Sequence, residues 1–546
     1  MSTPDQTWPP APVAPVLDRI DQYLDHWTAD RGDGDLLVDG GPTWTGRRLS
    51  WHDTRLEVDR VAAALVAAGL DHGDRVAWLS DPRLDFFVHF LAATSIGLIW
   101  QGLNPKYTWG EVSYVVEDFA PRLVFDGRAP AAGNDADPDD LVGRLVAEVA
   151  DIDQSITVDS PAWEAFLVAG QTVTADDLAA RRAAVTPLDP AFIVYTSGST
   201  GRPKGAILTH RGTCWCGVTG TTARGGSDLS VICNLPVNHV GAISDICCRK
   251  MIGGGTIVFQ ERFDAAAMLA TIESEGIGVW GGVPTMFQMC VDHPDFATRD
   301  LSSVRQVQWG GAAMPAPVLD RILDHLDVDR CVCGYGMSET TGGVTAMPPD
   351  ATREHLGATV GKVIPGHEFR IADGDGNEVE PGASGEVQVR GDWIMAGYWN
   401  RPEATAETID ADGWLHTGDL AMLRPDGHVQ LVGRMSEMFK TGGYNAYPRE
   451  IEMCLEEHPA VRMAAVVSVP DPVFDEVGHA FVVVDPADPT TGSGIDADTL
   501  RAHCRERLAN YKVPKVIHLR EELPRLAVGK VDKKALTAEA ARFRRS

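Results

Sequence analysis

The sequence has no excess of positive charge, no leader-like N-terminus and no cysteine pair with the usual zinc spacing. Its 546 residues carry a formal net charge of −29, which argues against nucleic acid as a ligand because phosphate backbones bind basic surfaces. None of the ten cysteines belongs to a C-x2-C pair, and this disfavours a zinc site. Because several cysteines lie inside apolar segments, as reduced thiols do, we expect a cytoplasmic protein.

Long apolar runs are also scarce. The most apolar stretch, "FFVHFLAATSIGLIWQGL", contains His89 and Gln101 and is interrupted at Gly97, so it does not predict a membrane span. The N-terminal "MSTPDQTWPPAPVAPVLDR" lacks the charged and then apolar order of a secretory signal. We therefore expect neither a membrane span nor a nucleic-acid partner.

The pattern of strands and helices predicts an α/β fold. Short apolar strands alternate with helical patterns over most of the chain, as in α/β architectures. From about residue 380, strands such as "GEVQVRG" and "GHVQLVGR" are separated by Gly and Asp turns and predict a small β unit. After Arg434 a helix, two strands, a helix and a strand predict a small α+β domain. The expected domains are thus a large, multi-subdomain α/β domain at 1–434 and a small domain at 435–546.

The segment "YTSGSTGRPKGA", Tyr195 to Ala206, follows an apolar strand and is rich in glycine and hydroxyl groups. It lacks the Gly-x4-Gly-Lys-Ser/Thr spacing of the common phosphate loop. Backbone N–H groups and hydroxyls in such a loop still bind phosphate oxygens, and Lys204 adds a positive charge. The alternative is a polar surface turn.

This segment closely resembles the phosphate-binding signature of the adenylate-forming (AMP-binding) superfamily, which includes acyl-CoA synthetases such as fatty-acid–CoA ligases, adenylation domains and firefly-type luciferases. Further motifs follow in the family's order over nearly the whole chain. The resemblance implies that ATP phosphates are held by Thr196, Ser197, Gly198, Ser199, Thr200, Gly201 and Lys204.

Two further motifs resemble the family's nucleotide-binding elements. In "YGMSETTG" the resemblance implies that Tyr335 stacks on adenine, Thr340 contacts the α-phosphate and Glu339 holds Mg2+, a hard cation that prefers oxygen ligands. In "GWLHTGD" it implies that Asp419 accepts both ribose hydroxyls, with Arg434 beside it. Small residues in "QWGGAAMP" would lie against the adenine and the acyl group, and these are Gly310, Gly311 and Ala312.

The last motif, "LPRLAVGKVDKKAL", resembles the segment that carries the family's catalytic lysine. Lys530 would bridge the carboxylate and the α-phosphate, where its positive charge stabilises the reacting anions. The resemblance makes the small domain mobile, so that closure brings Lys530 to the site and rotation removes it. The family's hinge position, usually Asp or Lys, is Ser436 here. The implied catalytic residues are Lys530, Thr340 and Glu339.

The binding sites for the acid and for coenzyme A rest on weaker motifs. "FKTGGYNAYPREIE" resembles the loop that lines the pantetheine channel, with Gly442 and Gly443 leaving room for the thiol arm and Tyr444 where many relatives have Glu. "NLPVNHVGA" resembles the motif whose His walls the acyl pocket, which is His239 here; a core histidine is the alternative. The expected acid-binding set is completed by Trp309, Gly310 and Met337, whereas Trp280 fits either a pocket wall or the core.

The sequence thus predicts an ATP-dependent, Mg2+-requiring carboxylic acid:CoA ligase that forms acyl-CoA, AMP and pyrophosphate through an acyl-adenylate. Bulky pocket residues favour a medium-chain, alicyclic or aromatic acid. One alternative is an adenylating enzyme that loads the thiol of a separate carrier protein, and another is a non-catalytic nucleotide-binding protein. The expected partners are the acid, ATP and coenzyme A, and a homodimer is one arrangement that we consider.

Overall fold

The computed structural model describes residues 11–40, 46–128, 141–149, 152–196, 202–484, 495–525 and 531–543. Its strands are β1 Asp35–Asp39, β2 Arg48–Ser50, β3 Arg75–Leu79, β4 Ile99–Leu103, β5 Leu123–Asp126, β6 Gln154–Thr157, β7 Pro190–Thr196, β8 Lys204–Thr209, β9 Val231–Cys233, β10 Ile257–Phe259, β11 Val279–Gly282, β12 Gln306–Trp309, β13 Arg330–Cys333, β14 Gly336–Met337, β15 Gly342–Gly343, β16 Thr345–Ala346, β17 Lys362–Val363, β18 Glu368–Ala372, β19 Ser384–Arg390, β20 Leu415–Leu423, β21 Val429–Arg434, β22 Phe439–Thr441, β23 Tyr444–Ala446, β24 Val461–Asp471, β25 Asp475–Val484 and β26 Val516–Arg520.

The α-helices are α1 Gln22–Arg31, α2 Trp51–Ala67, α3 Leu84–Ser95, α4 Trp109–Phe119, α5 Leu141–Glu148, α6 Pro161–Ala169, α7 Ala175–Ala183, α8 His210–Arg224, α9 Arg249–Ile252, α10 Ala265–Glu275, α11 Pro284–Asp292, α12 Ala316–His325, α13 Arg353–Ala358, α14 Pro402–Thr408, α15 Pro448–Glu456, α16 Ala497–Arg507 and α17 Lys533–Phe543. A π-helical segment, Gly241–Cys248, runs directly into α9.

Two mainly parallel sheets form the body of the large domain. One has seven strands in the order β13-β12-β11-β9-β10-β1-β2, and the other has six in the order β6-β5-β3-β4-β7-β8. Only the β1–β2 and β7–β8 pairs in these two sheets are antiparallel. Helices between parallel strands cover the sheet faces, as the alternating sequence pattern predicts. The expected α/β class is confirmed.

The most apolar stretch of the sequence forms a helix and a strand in the core of the large domain. It spans most of α3 and all of β4, and the chain turns between them at Gly97, whose φ of 82° favours glycine. Residues of α3 are buried on every side, which explains why the helix shows no polar face. In the described parts of the chain, no helix is long and apolar enough to cross a membrane.

A β unit and a small α+β domain complete the chain. Strands β18–β21 form an antiparallel four-stranded sheet, as the Gly/Asp-punctuated strands predict. Beyond Arg434, β22–β26 form a five-stranded sheet in which β26 pairs in parallel with β25. Helices α15, α16 and α17 belong to two apolar clusters of this domain. The domain therefore has a core of its own, as expected for a separately moving unit.

Candidate active site

A cleft of about 1470 Å3 opens where the two large sheets, the β unit and the small domain meet. The large domain contributes the ends of β7, β12 and β13, so the cleft lies at the carboxyl ends of parallel strands, where α/β proteins usually bind ligands. The small domain contributes Arg462, Glu522 and Arg525 to the wall. An ion pair between Arg462 and Asp292, with 3.3 Å from Nη2 to Oδ2, joins the two domains at this place.

Most of the described residues predicted for ATP and the acid line this one cleft. They are Thr196, Lys204, His239, Trp309, Gly310, Gly311, Tyr335, Met337, Glu339 and Arg434, and the predicted hinge residue Ser436 lines the cleft as well. The cleft lining does not include Ala312, Thr340, Asp419, Gly442, Gly443 or Tyr444. Ser197, Gly198, Ser199, Thr200, Gly201 and Lys530 lie outside the described residues.

Tyr335, Asp419 and Arg434 form a hydrogen-bonded cluster on the cleft wall. The Tyr335 hydroxyl donates to Asp419 Oδ2 at 2.7 Å, and Arg434 Nε lies 2.7 Å from Asp419 Oδ1. Burial raises the pKa of the Tyr335 phenol well above its usual range, and the Asp419 charge adds to this. Each carboxylate oxygen has a second lone pair. Asp419 can therefore accept further hydroxyl groups while its position is held by the other two side chains.

The Arg434 guanidinium is held in its charged form by this arrangement. Burial alone would lower the pKa of Arg434, but the carboxylates of Asp419 and Glu437 raise it overall. Arg434 ends β21, directly opposite Asp419 on β20 in the antiparallel register. The backbone ladder thus brings together two residues that the sequence separates, and it places a permanent positive charge beside the buried carboxylate.

Glu339 is a buried carboxylate at the opposite side of the predicted nucleotide set. Its Oε1 accepts from the Tyr398 hydroxyl at 2.9 Å and from the Thr196 hydroxyl at 3.3 Å. Among the described residues no hydrogen bond reaches Oε2. Lys204 Nζ lies 4.9 Å from the centroid of the Tyr398 ring, within cation–π range. A buried carboxylate with one free oxygen, facing a cleft, fits a hard divalent cation.

The Thr340 hydroxyl, predicted to contact the α-phosphate, is hydrogen-bonded within its own turn instead. Thr340 is completely buried, and its hydroxyl donates to the Gly342 carbonyl at 2.7 Å while it accepts from the Met337 N–H at 2.9 Å. These bonds stabilise the turn that carries Glu339. Ser338, two residues earlier, lines the cleft, whereas Thr340 does not.

The residues considered for acid binding differ in whether they line the cleft or lie in the core. His239 lines the cleft, and its Nδ1 accepts from the Gly241 N–H at 3.0 Å, which fixes the ring. Trp309 is only 3% exposed and reaches the cleft at the end of β12. Trp280 is fully buried and packs on Phe287 with 4.9 Å between ring centroids. Trp280 therefore belongs to the core, which was one of its two expected places.

A buried part of the cleft wall contains charged side chains that no sequence motif identified. Arg224 and Arg249 are both buried, at 6% and 3% exposure, and both line the cleft together with Asp245 and Gln308. Arg224 Nη1 donates to Asp245 Oδ1 at 3.0 Å. Arg249 Nη2 donates to Gln308 Oε1 at 3.0 Å and its Nε to the Asp245 carbonyl at 2.7 Å.

The chain between the two domains is anchored on both sides of the predicted hinge. Arg434 is bound to Asp419 of the β unit, as described above. Glu437 is bound to the small domain, because Lys533 Nζ of α17 lies 2.6 Å from its Oε2 and 2.9 Å from Glu452 Oε1. Only Met435 and Ser436 separate these anchors, in a short 3-10 turn.

The predicted thiol-channel residues lie on the small domain away from the cleft wall. Gly442 and Gly443 have φ values of 58° and 86°, which strain any other residue. Tyr444 is 61% exposed and stacks on Tyr511, with 4.7 Å between ring centroids. The Phe474 carbonyl accepts from the Gly442 N–H at 2.8 Å, and this fixes the turn. In this arrangement the loop faces solvent, so a role in the site requires the small domain to move.

Comparison with known proteins agrees with this geometry. The AMP-binding enzyme model matches residues 24–399, and the model of the AMP-binding enzyme C-terminal domain matches residues 450–530. The chain belongs to the AMP-binding enzyme family. The resemblance noted in the motifs is thereby confirmed.

Curated relatives of this family are acid–CoA ligases. A feruloyl-CoA synthase from an Amycolatopsis species is 36% identical over 493 residues, 89% of this chain and 93% of the relative. A Mycobacterium tuberculosis propanoyl:CoA ligase, whose acyl group carries a methyl-dioxo-octahydro-indenyl ring system, is 35% identical over 528 residues, 96% of this chain and 98% of the relative. The ATP-bound structure of MatB from Rhodopseudomonas palustris superposes with a TM-score of 0.81 at 27% identity, covering 96% of this chain and 100% of MatB.

Together, the family match and these relatives identify the chain as an AMP-forming acid–CoA ligase that uses ATP and coenzyme A. Sequence reasoning missed several residues that line the cleft of this AMP-binding enzyme: Arg224, Arg249, Ser338, Tyr398 and Arg525. Tyr398 lies in "MAGYWN", where no motif or spacing distinguishes it from a core aromatic. Arg249 lies in "CCRKMIGG", where the sequence gives no sign that the guanidinium is buried.

Proposed function

We propose that this cleft activates a compact aromatic or alicyclic carboxylic acid with MgATP and then transfers the acyl group to the thiol of coenzyme A. The main support is that the Tyr335–Asp419–Arg434 cluster and the Glu339–Tyr398 pair line or adjoin the same cleft. The first set offers acceptors and a charge suited to a ribose, and the second offers a cation site suited to phosphates.

In the proposed adenylation step, a carboxylate oxygen of the acid attacks the α-phosphorus of ATP and pyrophosphate leaves. Lys204 supports the phosphates from the end of the loop, and we assign the α-phosphate contact to Ser338 in place of Thr340 because only Ser338 lines the cleft. Glu339 would hold Mg2+, which supplies charge neutralisation for the departing pyrophosphate. The Tyr398 and Thr196 hydroxyls orient the Glu339 carboxylate for that role.

Lys530 is proposed as the mobile cation of this step. Arg525 and Val531, which flank the segment 526–530, pair in an antiparallel bridge, and Arg525 lines the cleft. Lys530 itself is outside the described residues, but the two ends of its segment are joined beside the cleft. An ammonium group brought to this position would offset the charges of the carboxylate and the α-phosphate as they approach.

Domain alternation is supported by the anchors around Ser436. A rotation between the domains at 1–434 and 435–546 can keep the Arg434–Asp419 pair on one side and the Lys533–Glu437 pair on the other. The φ and ψ changes would then fall on Met435 and Ser436. In the rotated state Gly442, Gly443 and Tyr444 would face the cleft, the thiolate would attack the acyl carbon, and AMP would leave.

The proposed acid class rests on the pocket and on what relatives act on. His239, Trp309 and Met337 bound a slot beside Gly310 that suits a ring better than a long flexible chain. The relatives include a feruloyl-CoA synthase, an indoleacetate–CoA ligase and a 4-coumarate–CoA ligase. A cytoplasmic location, supported by ten free cysteines, and a homodimer stay predictions.

The deciding experiment supplies a panel of free aromatic and alicyclic acids with ATP and Mg2+, with and without coenzyme A. Pyrophosphate, AMP and the thioester are measured separately. We expect pyrophosphate with the preferred acid and acyl-CoA only when coenzyme A is present. Asp419→Asn should lose ATP use, while the matched control Asp412→Asn, an exposed carboxylate of the same β unit, should not. Pyrophosphate without any thioester would favour a carrier-protein acceptor, and ATP binding without pyrophosphate would favour a non-catalytic nucleotide-binding protein.

A further inference from the structure

The part of the cleft wall formed by Arg224, Asp245, Arg249 and Gln308, called the deep end below, contains one more positive charge than negative charge. Arg224 is paired with Asp245 through Nη1 and Oδ1 at 3.0 Å. Arg249 donates only to neutral oxygens, the Gln308 amide and the Asp245 backbone carbonyl. Among the described residues, no carboxylate lies within ion-pair distance of Arg249. Arg249, at 3% exposure, therefore contributes a buried guanidinium without an anionic partner to this wall.

A buried charge without a counterion is costly, so its position in a ligand cleft requires an explanation. Burial, and then the neighbouring Arg224, lower the pKa of Arg249 to about 9, with Asp245 acting in the opposite direction. The guanidinium remains charged at neutral pH in spite of this cost. The cost would be offset by a ligand oxygen that accepts from it, as charge-assisted hydrogen bonds are among the stronger ones.

Lys250, the next residue of α9, is a buried cation with a purely structural position. Lys250 is 1% exposed, and its Nζ donates to the Gly226 carbonyl at 2.7 Å. Lys250 does not line the cleft, whereas Arg249 does. Two adjacent buried cations thus point to different places, and only Arg249 faces the cleft where a ligand can reach it.

The space around the Arg224 guanidinium depends on the glycine at position 343. A Cβ atom at Gly343 would come within 1.8 Å of Arg224 Nη2, so any side chain there would displace the Arg224 guanidinium. Gly281, Gly334 and Gly336 also line the cleft. The π-helical segment that ends at Cys248 leads directly into Arg249, and such segments are frequent at functional sites.

We propose that this deep end binds an oxygen acceptor, a carbonyl or a second carboxylate, at the end of the acid remote from the carboxyl group that is activated. The proposal rests on the function proposed above and deepens it, since it concerns the same cleft. Gln308, whose side chain accepts from Arg249, lies near the end of β12, two residues before Gly310, so at most about 7 Å of chain separates the two positions. The second oxygen of the substrate would thus be separated from the reacting carboxyl by a rigid spacer of ring size.

In the first test, the wild-type enzyme is assayed with three acids of similar shape. They are the 3-(4-substituted-phenyl)propanoates with an ethyl, an acetyl or a carboxyl substituent. Pyrophosphate release in the presence of MgATP reports the adenylation step alone. We expect kcat/KM for the acetyl or the carboxyl compound to exceed that for the ethyl compound by about 10- to 150-fold, as for a hydrogen bond to a charged group. The better of the two identifies the acceptor as a carbonyl or as a carboxylate.

The second test replaces the unpaired cation. Arg249→Met should abolish the preference for the oxygen-bearing acids and leave the melting temperature unchanged or raised, because a buried charge without a counterion is removed. The matched control is Arg262→Met, since Arg262 also lines the cleft but its side chain is 70% exposed. This control should keep the wild-type preference.

The results that would overturn the inference are distinct from those that would overturn the proposed function. Equal or better use of the ethyl compound by the wild-type enzyme would refute the oxygen acceptor, and this needs no variant. A lower melting temperature of Arg249→Met with an unchanged preference would assign Arg249 a structural role. Absence of thioester with a normal acid preference in pyrophosphate release would refute only the coenzyme A acceptor.

Discussion

The hydrogen bond from Tyr398 to Glu339 gives a sharp test of the proposed cation site. The Tyr398 hydroxyl donates to Glu339 Oε1 at 2.9 Å, and the Tyr398 ring lies 4.9 Å from Lys204 Nζ. Burial and the Glu339 charge raise the pKa of the Tyr398 phenol, so the hydroxyl stays a donor throughout the working pH range. Tyr398→Phe removes this hydroxyl and keeps the ring beside Lys204.

The expected loss follows from the kind of bond that is removed. A hydrogen bond to a charged group contributes about 1.5–3 kcal/mol, which corresponds to about 10- to 150-fold in an equilibrium or rate ratio. The Thr196 hydroxyl, at 3.3 Å, would remain as a weaker donor to Glu339. We therefore expect kcat/KM for MgATP to fall by roughly this factor in Tyr398→Phe, with a higher Mg2+ concentration needed for half-maximal rate.

The assay is pyrophosphate release at saturating acid, with ATP and Mg2+ varied independently. Tyr398→Leu serves as the comparison, because it removes the hydroxyl and also the ring that faces Lys204. A cation–π contact contributes about 0.5–2 kcal/mol, so the Leu variant should lose a further factor of about 2 to 30. If Tyr398→Phe matched the wild type in ATP and Mg2+ dependence, the hydroxyl would have no part in positioning Glu339. If only the Leu variant lost activity, the ring would be the functional group.

Three further predictions concern the hinge, the mobile lysine and a buried histidine. Ser436→Pro should block thioester formation and leave pyrophosphate release intact, and equal loss of both half-reactions would contradict the hinge. Lys530→Ala should impair adenylation far more than the reaction of preformed acyl-adenylate with coenzyme A, whereas parallel losses would exclude the bridging role. Burial lowers the pKa of His89 to about 3, so the unfolded chain binds a proton below about pH 6.5 while the folded chain does not. Stability should fall on acidification by up to about 1.4 kcal/mol per pH unit for this group. His89 Nδ1 accepts from the Trp100 indole N–H at 3.2 Å, and His89→Gln keeps an acceptor for it. In denaturant titrations this variant should show a smaller dependence on pH than the wild type, and an unchanged dependence would refute the assignment.

Much of the fold follows from local sequence pattern. The segments "AFIVYTS", "VRQVQWGG" and "DRCVCGYG" form β7, β12 and β13, because runs of apolar and β-branched residues between turn residues fit buried strands. The order of strands within the sheets was not predictable in this way. For example, β1 pairs in parallel with β10, more than two hundred residues later in the chain, and only tertiary packing selects that partner.

The candidate site was predictable where a motif identifies a residue and unpredictable where the residue depends on a distant partner. Asp419 and Arg434 are in recognisable motifs, and the β20–β21 register places them opposite each other. The contact between Tyr398 and Glu339 joins residues 59 positions apart and has no local signature. The choice between Ser338 and Thr340 depends on the conformation of one short turn, which places Ser338 on the cleft wall and the Thr340 hydroxyl against the backbone.

The residues proposed to recognise the acid and the domain proposed to move belong to different parts of the chain. Arg249, Gln308 and His239 all belong to the large domain, so the proposed rotation at Ser436 leaves the wall that we propose binds the acid unchanged. Discrimination between acids is then made in the closed state, before coenzyme A enters. The same ranking of acids should therefore appear in pyrophosphate release and in thioester formation, because a poorly bound acid is rejected before the small domain moves.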